Sequence, residues 1–208
     1  MMADLQLWKR TADDLKTFSF YNRPITNIVP SRAVNVVDIF RYVTSNYAKK
    51  QTIQLRAMTS STEAKDFETT HFDYCTFSGL FHERNKNERI AFSNLMCLSF
   101  DQIKNIVQLK RQLLEHDYFD TELMFTNPRG DGVKWIILID LQRWDYSRFF
   151  RAVSNCTAAT GLPPISQMGN DMTVPCFLPY DPEAFIHPKY DIHVKENILR
   201  PRLGNAPF

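Results

Sequence analysis

An α+β fold is predicted by three observations in the second half of the chain. Leu95-Met96-Cys97-Leu98-Ser99-Phe100-Asp101 is an apolar run of strand length that ends in a carboxylate. Two stretches have helical spacing, Asp101 to His116 and Asp145 to Thr160, and Gly161-Leu162-Pro163-Pro164 stops the second. Three further strand-like segments, Thr121 to Thr126, Val133 to Leu141 and Thr173 to Leu178, lie between and after them. The resulting order, β-α-β-β-α-β over about 95–180, is the split β-α-β motif doubled. It is the plan of ferredoxin-like and RNA-recognition-like cores.

The helices are expected to be amphipathic. Ile103, Ile106, Val107, Leu113 and Leu114 fall on one face of the first, with Lys104, Lys110 and Arg111 elsewhere. Phe149, Val153 and Cys156 mark the inner face of the second. The first half predicts an α/β elaboration of this core. Residues 1–30 read as an irregular arm whose aromatics, Trp8, Phe18, Phe20 and Tyr21, suit a strand or a docking segment. Ser31 is a helix N-cap candidate ahead of Val34, Val37, Ile39, Phe40, Tyr42 and Val43. Gln51 to Met58 alternates as a strand, with Ile53 and Leu55 on one face. Ser60-Ser61-Thr62 is punctuation, Phe72 to Phe81 suggests a hairpin broken at Ser78-Gly79, and His82 to Glu88 a polar loop. The domain then spans 31–190, with its core over 95–181, and the polar, proline-dotted stretch from Pro182 wraps the surface into a tail, 191–208.

Composition narrows the function classes. The 208 residues are enough for one sizeable core, and 44% hydrophobic with 23% charged residues is ordinary globular usage. A net charge of +2 neither demands nor excludes a polyanionic partner, because a local patch can still be basic. No run reaches signal-peptide or membrane-span length, so a cytoplasmic protein without membrane contact is expected. Cys75, Cys97, Cys156 and Cys176 have no zinc-ligand spacing and read as reduced core thiols.

Chemistry is sought at strand ends. Asp101 closes an apolar strand, where a carboxylate either ligates Mg²⁺ through hard oxygens or caps a helix. Gly130-Asp131-Gly132 followed by Lys134 lies between two strands. It is either a phosphate cradle with a lysine point charge or a hairpin turn. Asp171, before the last strand, is a further metal ligand or an ordinary loop residue, as is Asp140 at the end of the third strand. Asp181-Pro182 reads as a turn. Arg84, with Lys86 and Arg89, follows an aromatic strand, which suits single-stranded nucleic acid or a solvated loop. The five histidines show no ligand or triad spacing.

Four ordered strings carry a resemblance over roughly Lys65 to Tyr190. They are Phe72-Asp73-Tyr74-Cys75-Thr76-Phe77-Ser78-Gly79 with Phe81 and Arg84, and Leu98-Ser99-Phe100-Asp101-Gln102-Ile103. The others are Asn127-Pro128-Arg129-Gly130-Asp131-Gly132-Val133-Lys134-Trp135 and Cys176-Phe177-Leu178-Pro179-Tyr180-Asp181-Pro182. Together they resemble the primase-like N-terminal domain of Bacteroidetes mobile-element replication proteins. That domain is often labelled the virulence-associated E protein N-terminal domain, and it is similar to the archaeo-eukaryotic primase–polymerase superfamily.

The resemblance implies a metal-dependent nucleotidyltransferase. An Asp-x-Asp pair and a third carboxylate would hold two Mg²⁺ or Mn²⁺ ions, and the glycine turn and lysine would take the incoming triphosphate. The expected ligands are then Asp101 and Asp171, with Ser99 where the first aspartate of the pair is expected. Gly130, Asp131, Gly132 and Lys134 would bind the nucleotide, and Arg84 and Arg129 the nucleic acid. Implied partners are single-stranded DNA or primer-template, a nucleoside triphosphate and a separate helicase, as the chain has no Walker A motif. Arg129 stands where the family's turn has serine, and Val174-Pro175 where it usually has arginine. With Ser99 in the pair, one carboxylate is lost. Either the domain binds without polymerising or another group, with Glu122 and Asp140 as candidates, replaces it. A protein-interaction module on the same fold is the remaining alternative.

Overall fold

The computed structural model describes residues 16–141 and 145–190, so Trp8 and the 191–208 tail lie outside the described residues. The fold is α+β, with three antiparallel sheets and five α-helices among the described residues. The first sheet has the order β2-β1-β3-β9, from Arg32–Val34, Phe18–Tyr21, Tyr74–Thr76 and Cys176–Phe177. The second has the order β10-β7-β8-β6, from Phe185–Ile186, Thr121–Thr126, Val133–Leu138 and Leu95–Phe100. The strands β4 (Gly79–Phe81) and β5 (Arg89–Phe92) form a separate hairpin.

Strand alternation divides the core. From β6, Leu95 and Cys97 pack toward the first sheet with Leu123, Phe125 and Ile136. Met96, Leu98 and Phe100 point the other way, with Met124, Trp135 and Ile137. That second face is covered by α4 (Ile106–Leu114) and α5 (Tyr146–Ala159). Antiparallel β6–β8 and β7–β8 ladders make β6 and β7 parallel with β8 between them, so the first split β-α-β unit is present.

The second unit departs from expectation. Only Cys176–Phe177 of the 173–178 segment is a strand, and it pairs with β3 in the other sheet. Pro175 has no N–H for a ladder, which shortens the strand at its start. The free edge of β6 is lined instead by the turn around Gln167–Asn170, where Ser166 N donates to Ser99 O at 2.8 Å. The stretch after Pro182 is not a surface wrap throughout, because β10 adds to the outer edge of β7.

Other elements shift for local reasons. The N-cap of α1 (Val36–Thr44) is Asn35 rather than Ser31, closed by a capping box with Asp38. Gln51 to Met58 is not a strand but lies largely within α2 (Lys49–Arg56). Its Thr52 and Leu55 are buried at helical spacing while Ile53 is exposed, and Lys, Gln, Leu and Arg all favour helix. The helix α3 (Ser61–His71) was not anticipated, although Ser60 caps it by accepting from Glu63 N. Phe72 to Phe81 is no hairpin, since β3 pairs with β1 and β9 while β4 pairs with β5. In α4 the buried residues are Leu109 and Leu113, whereas Val107 and Leu114 are exposed. The helix α5 buries Tyr146, Phe150, Val153 and Thr157, a small rotation from the expected face. Phe18, Phe20 and Tyr21 are buried in their own fold as β1, so they are not a free docking arm.

Candidate functional site

The alternation that buries Leu95 and Cys97 between the sheets places Ser99 on the same face of β6. Across the ladder its register partner is Lys134 on β8, next to Val133 and Trp135 of the opposite face. Lys134 Nζ donates to Ser99 Oγ at 2.7 Å. Burial disfavours the lysine charge, but negative charge on the Cys176 and Cys97 sulfurs and on the Asp101 and Glu68 carboxylates offsets this. Together these charges carry its pKa above the ordinary lysine value. Cys97 Sγ in turn donates to Cys176 Sγ at 3.7 Å, joining β6 to β9 beneath the ammonium.

Asp101 follows β6 and is exposed. It is not a helix cap. Asn105 caps α4 by accepting from Gln108 N at 3.0 Å, and Gln102, at φ 58°, turns the chain between them. The same loop meets the 127–132 turn, where Ile103 N donates to Asp131 O at 2.7 Å. Gly132 makes this approach possible. A Cβ there would collide with the Phe100 carbonyl oxygen and lie 2.6 Å from Asn127 Nδ2. Gly132→Ala is therefore expected to cost about 1–3 kcal/mol, read as a lower denaturation midpoint in urea. An unchanged midpoint would show that the loop relaxes freely.

The turn is a six-residue hairpin connection between β7 and β8. Asn127 Oδ1 accepts from Gly130 N at 2.9 Å and from Asp131 N at 3.1 Å. Two N–H groups that a phosphate cradle would use are thus spent inside the turn. Gly130 adopts φ 79°, a conformation natural to glycine. The helices α2 and α3 brace the turn. Arg56 of α2 donates to Pro128 O and Asn127 O, each at 3.2 Å, and Arg129 Nε meets Glu68 Oε2 of α3 at 3.1 Å. Burial raises the Glu68 pKa, with the Arg129 hydrogen bond opposing it.

The structure therefore brings together Ser99, Asp101, Gly130, Asp131, Gly132 and Lys134, with Arg129 held at their margin by Glu68. Asp171 stands apart from them in its contacts. It accepts from Thr173 N at 2.9 Å and Thr173 Oγ1 at 2.8 Å and meets Lys86 at 3.4 Å. Burial works against its charge, but those bonds and the lysine prevail and lower its pKa. Arg84 is committed to the fold. Its Nη2 donates to Ile25 O at 3.2 Å and its guanidinium lies 5.3 Å from the Tyr74 ring centroid.

Neither candidate for a replacement carboxylate reaches Asp101. Thr126 and Phe100 both pair with Val133, whereas Thr121 pairs with Ile137 and Leu95 with Leu138. Glu122 and Asp140 thus belong to the far end of the sheet, Glu122 roughly 15 Å away and Asp140 roughly 25 Å at about 3.3 Å per residue. Glu122 is fully buried there and bound by Lys189 Nζ and Tyr190 OH.

This donor set does not fit a two-ion centre. Asp101 is one carboxylate, the Ser99 hydroxyl is engaged by an ammonium, and Asp171 is neutralised by its own neighbours. Among the described residues no group of three or more His, Cys, Asp or Glu is placed to hold an ion.

Two residues that matter here escaped sequence reasoning. Glu68 gave no signal, because its partner is 61 positions away. Asp181, read as a turn, is buried and accepts from Thr126 N at 2.6 Å and Lys110 Nζ at 3.0 Å, fixing the end of β7 that feeds the site. No helix among the described residues is long and apolar enough to cross a membrane.

No curated protein and no solved structure matches the chain. The family model for the BT4734-like, N-terminal domain matches residues 68–185, just over half of the 208 residues, and includes Ser99, Asp101, Lys134 and the 127–132 turn but not Arg56. The chain belongs to the BT4734-like N-terminal domain family.

Proposed function

We propose that this is a primase–polymerase-like domain of a mobile element or phage, cytoplasmic, which binds nucleic acid or a nucleotide without polymerising it. The observation that carries the reading is the Lys134–Ser99 hydrogen bond beside Asp101, at the end of β6 on its face toward the first sheet. An ammonium held by a serine offers a fixed positive charge to a phosphate. It does not offer the paired carboxylates that two-metal phosphoryl transfer requires. Primer-template opened by a separate helicase, or a nucleoside triphosphate, is the ligand class the charge suits.

The test is equilibrium binding of a nucleoside triphosphate and of single-stranded DNA, with and without Mg²⁺ or Mn²⁺, beside a primer-extension assay. Binding of at least one ligand is expected, weakened about tenfold by Lys134→Ala, consistent with loss of one charge-assisted contact. No extension product is expected. Absence of binding to either ligand would sink the reading. Metal-dependent extension abolished by Asp101→Ala would replace it with an active primase or polymerase.

A further inference from the structure

The outer face of the β4–β5 hairpin is not covered by its own fold. Ile90 and Phe92 of β5 are 55% and 41% exposed, and a bulge at Ile90 breaks the strand alternation between Arg89 and Phe92. The Arg89 guanidinium lies 3.7 Å from the centroid of the Phe92 ring, and its Nη1 donates to Met172 Sδ at 3.1 Å. Lys86, in the 3₁₀ turn leading into β5, reaches Asp171 with a side chain that stays 61% exposed. These contacts tie the hairpin to the 171–173 segment. That segment follows directly on the turn that lies along the Ser99 edge of β6, where Ser166 bonds Ser99.

We propose that this face is a base-stacking platform for single-stranded nucleic acid, with Phe92 receiving a base and Arg89 and Lys86 the flanking phosphates. The inference deepens the proposed function and rests on it. An exposed ring with a guanidinium already stacked on it is ordered before any ligand arrives. Stacking then needs little further side-chain ordering. Arg89 complements a phosphate directly, Lys86 does so only by sharing its charge with Asp171, and ring-on-base contact is tolerant of sequence because every base has a π face.

Fluorescence-anisotropy binding of a thymidine oligonucleotide to the full chain, compared with Phe92→Ala and Phe92→Trp, tests this. Phe92→Ala is expected to weaken binding about 5- to 100-fold, and Phe92→Trp to hold it within about twofold, because the flat ring is kept. Arg89→Ala is expected to lower the slope of log affinity against log salt by about one ion. A photoreactive oligonucleotide is expected to crosslink within 89–92. Phe92→Ala binding as tightly as the unsubstituted chain would overturn the platform while leaving the proposed function standing. No oligonucleotide binding by the unsubstituted chain would overturn the platform and leave the proposed function resting on the nucleoside triphosphate alone. A dimer that Phe92→Ala dissociates, at unchanged DNA affinity, would assign the face to a second copy and overturn the platform.

Discussion

Asp181→Ala is expected to lower the stability of the fold by about 3–5 kcal/mol, the usual cost of breaking one side of a buried ion pair. The carboxylate is 6% exposed and accepts from the Thr126 N–H at 2.6 Å and from Lys110 Nζ at 3.0 Å. Removing it strands a largely buried ammonium and orphans a strand-end N–H. Asp181→Asn keeps an acceptor and removes only the charge, so a smaller loss is expected. Burial works against this carboxylate, but the Thr126 and Lys110 bonds prevail and hold its pKa below the usual aspartate range. The sign of the pH dependence follows. A depressed folded pKa gives stability that is complete above the unfolded value of about 3.9 and is lost as pH falls through the folded value. Urea denaturation from pH 7 to pH 2 is expected to show the gap between the unsubstituted chain and Asp181→Asn closing below about pH 4. A gap constant through that window would mean that the ionised carboxylate is not what holds Thr126. Because Thr126 opens the 127–132 turn, ligand binding at Lys134 is expected to weaken in Asp181→Asn before unfolding is reached.

Local signals were sufficient where burial and capping agreed. Asp145 and Gly161 bracket α5 to within a residue of Tyr146–Ala159, and the strand-like segment Thr121 to Thr126 is β7 with the same bounds. They failed where two periods fit the same residues. Ile53 and Leu55 satisfy a strand alternation, yet Thr52 and Leu55 satisfy a helix, and only packing against Phe72 and Ala64 decides. The capping signature Ser60-x-x-Glu63 was legible and passed over. The partner of β9 was not legible at all. Cys176 pairs with Cys75 about a hundred residues away, and nothing local distinguishes that edge from the free edge of β6. The site divides the same way. Ser99, Asp101 and Lys134 share one end of a sheet because strand parity and register force them to, and both are readable from the alternation. That Asn127 consumes the turn's N–H groups, and that Arg84 is spent on Ile25 O, depends on side-chain rotamers no motif encodes.

If an ammonium stands where a cation-binding carboxylate pair would gather an ion, restoring the carboxylate alone is not enough. Ser99→Asp is expected to form an ion pair with Lys134, whose Nζ already lies 2.7 Å from Ser99 Oγ, and to gain little affinity for Mn²⁺. The ammonium repels an incoming ion. A unit charge at about 4 Å contributes about 4 kcal/mol per charge at an effective dielectric near 20. Ser99→Asp combined with Lys134→Met removes that repulsion and leaves two carboxylates, at 99 and 101, at one strand end. The double variant is expected to bind Mn²⁺ at least about a hundredfold more tightly than either single one, a strongly non-additive cycle. Isothermal titration with Mn²⁺, checked by the water-proton relaxation that bound Mn²⁺ enhances, measures it directly. Equal Mn²⁺ affinity in Ser99→Asp and in the double variant would show that Lys134 does not compete for the ion. Weak binding by a well-folded double variant would show that the turn at Gln102 directs Asp101 away from position 99. Backbone geometry as well as the serine would then keep positions 99 and 101 from sharing an ion.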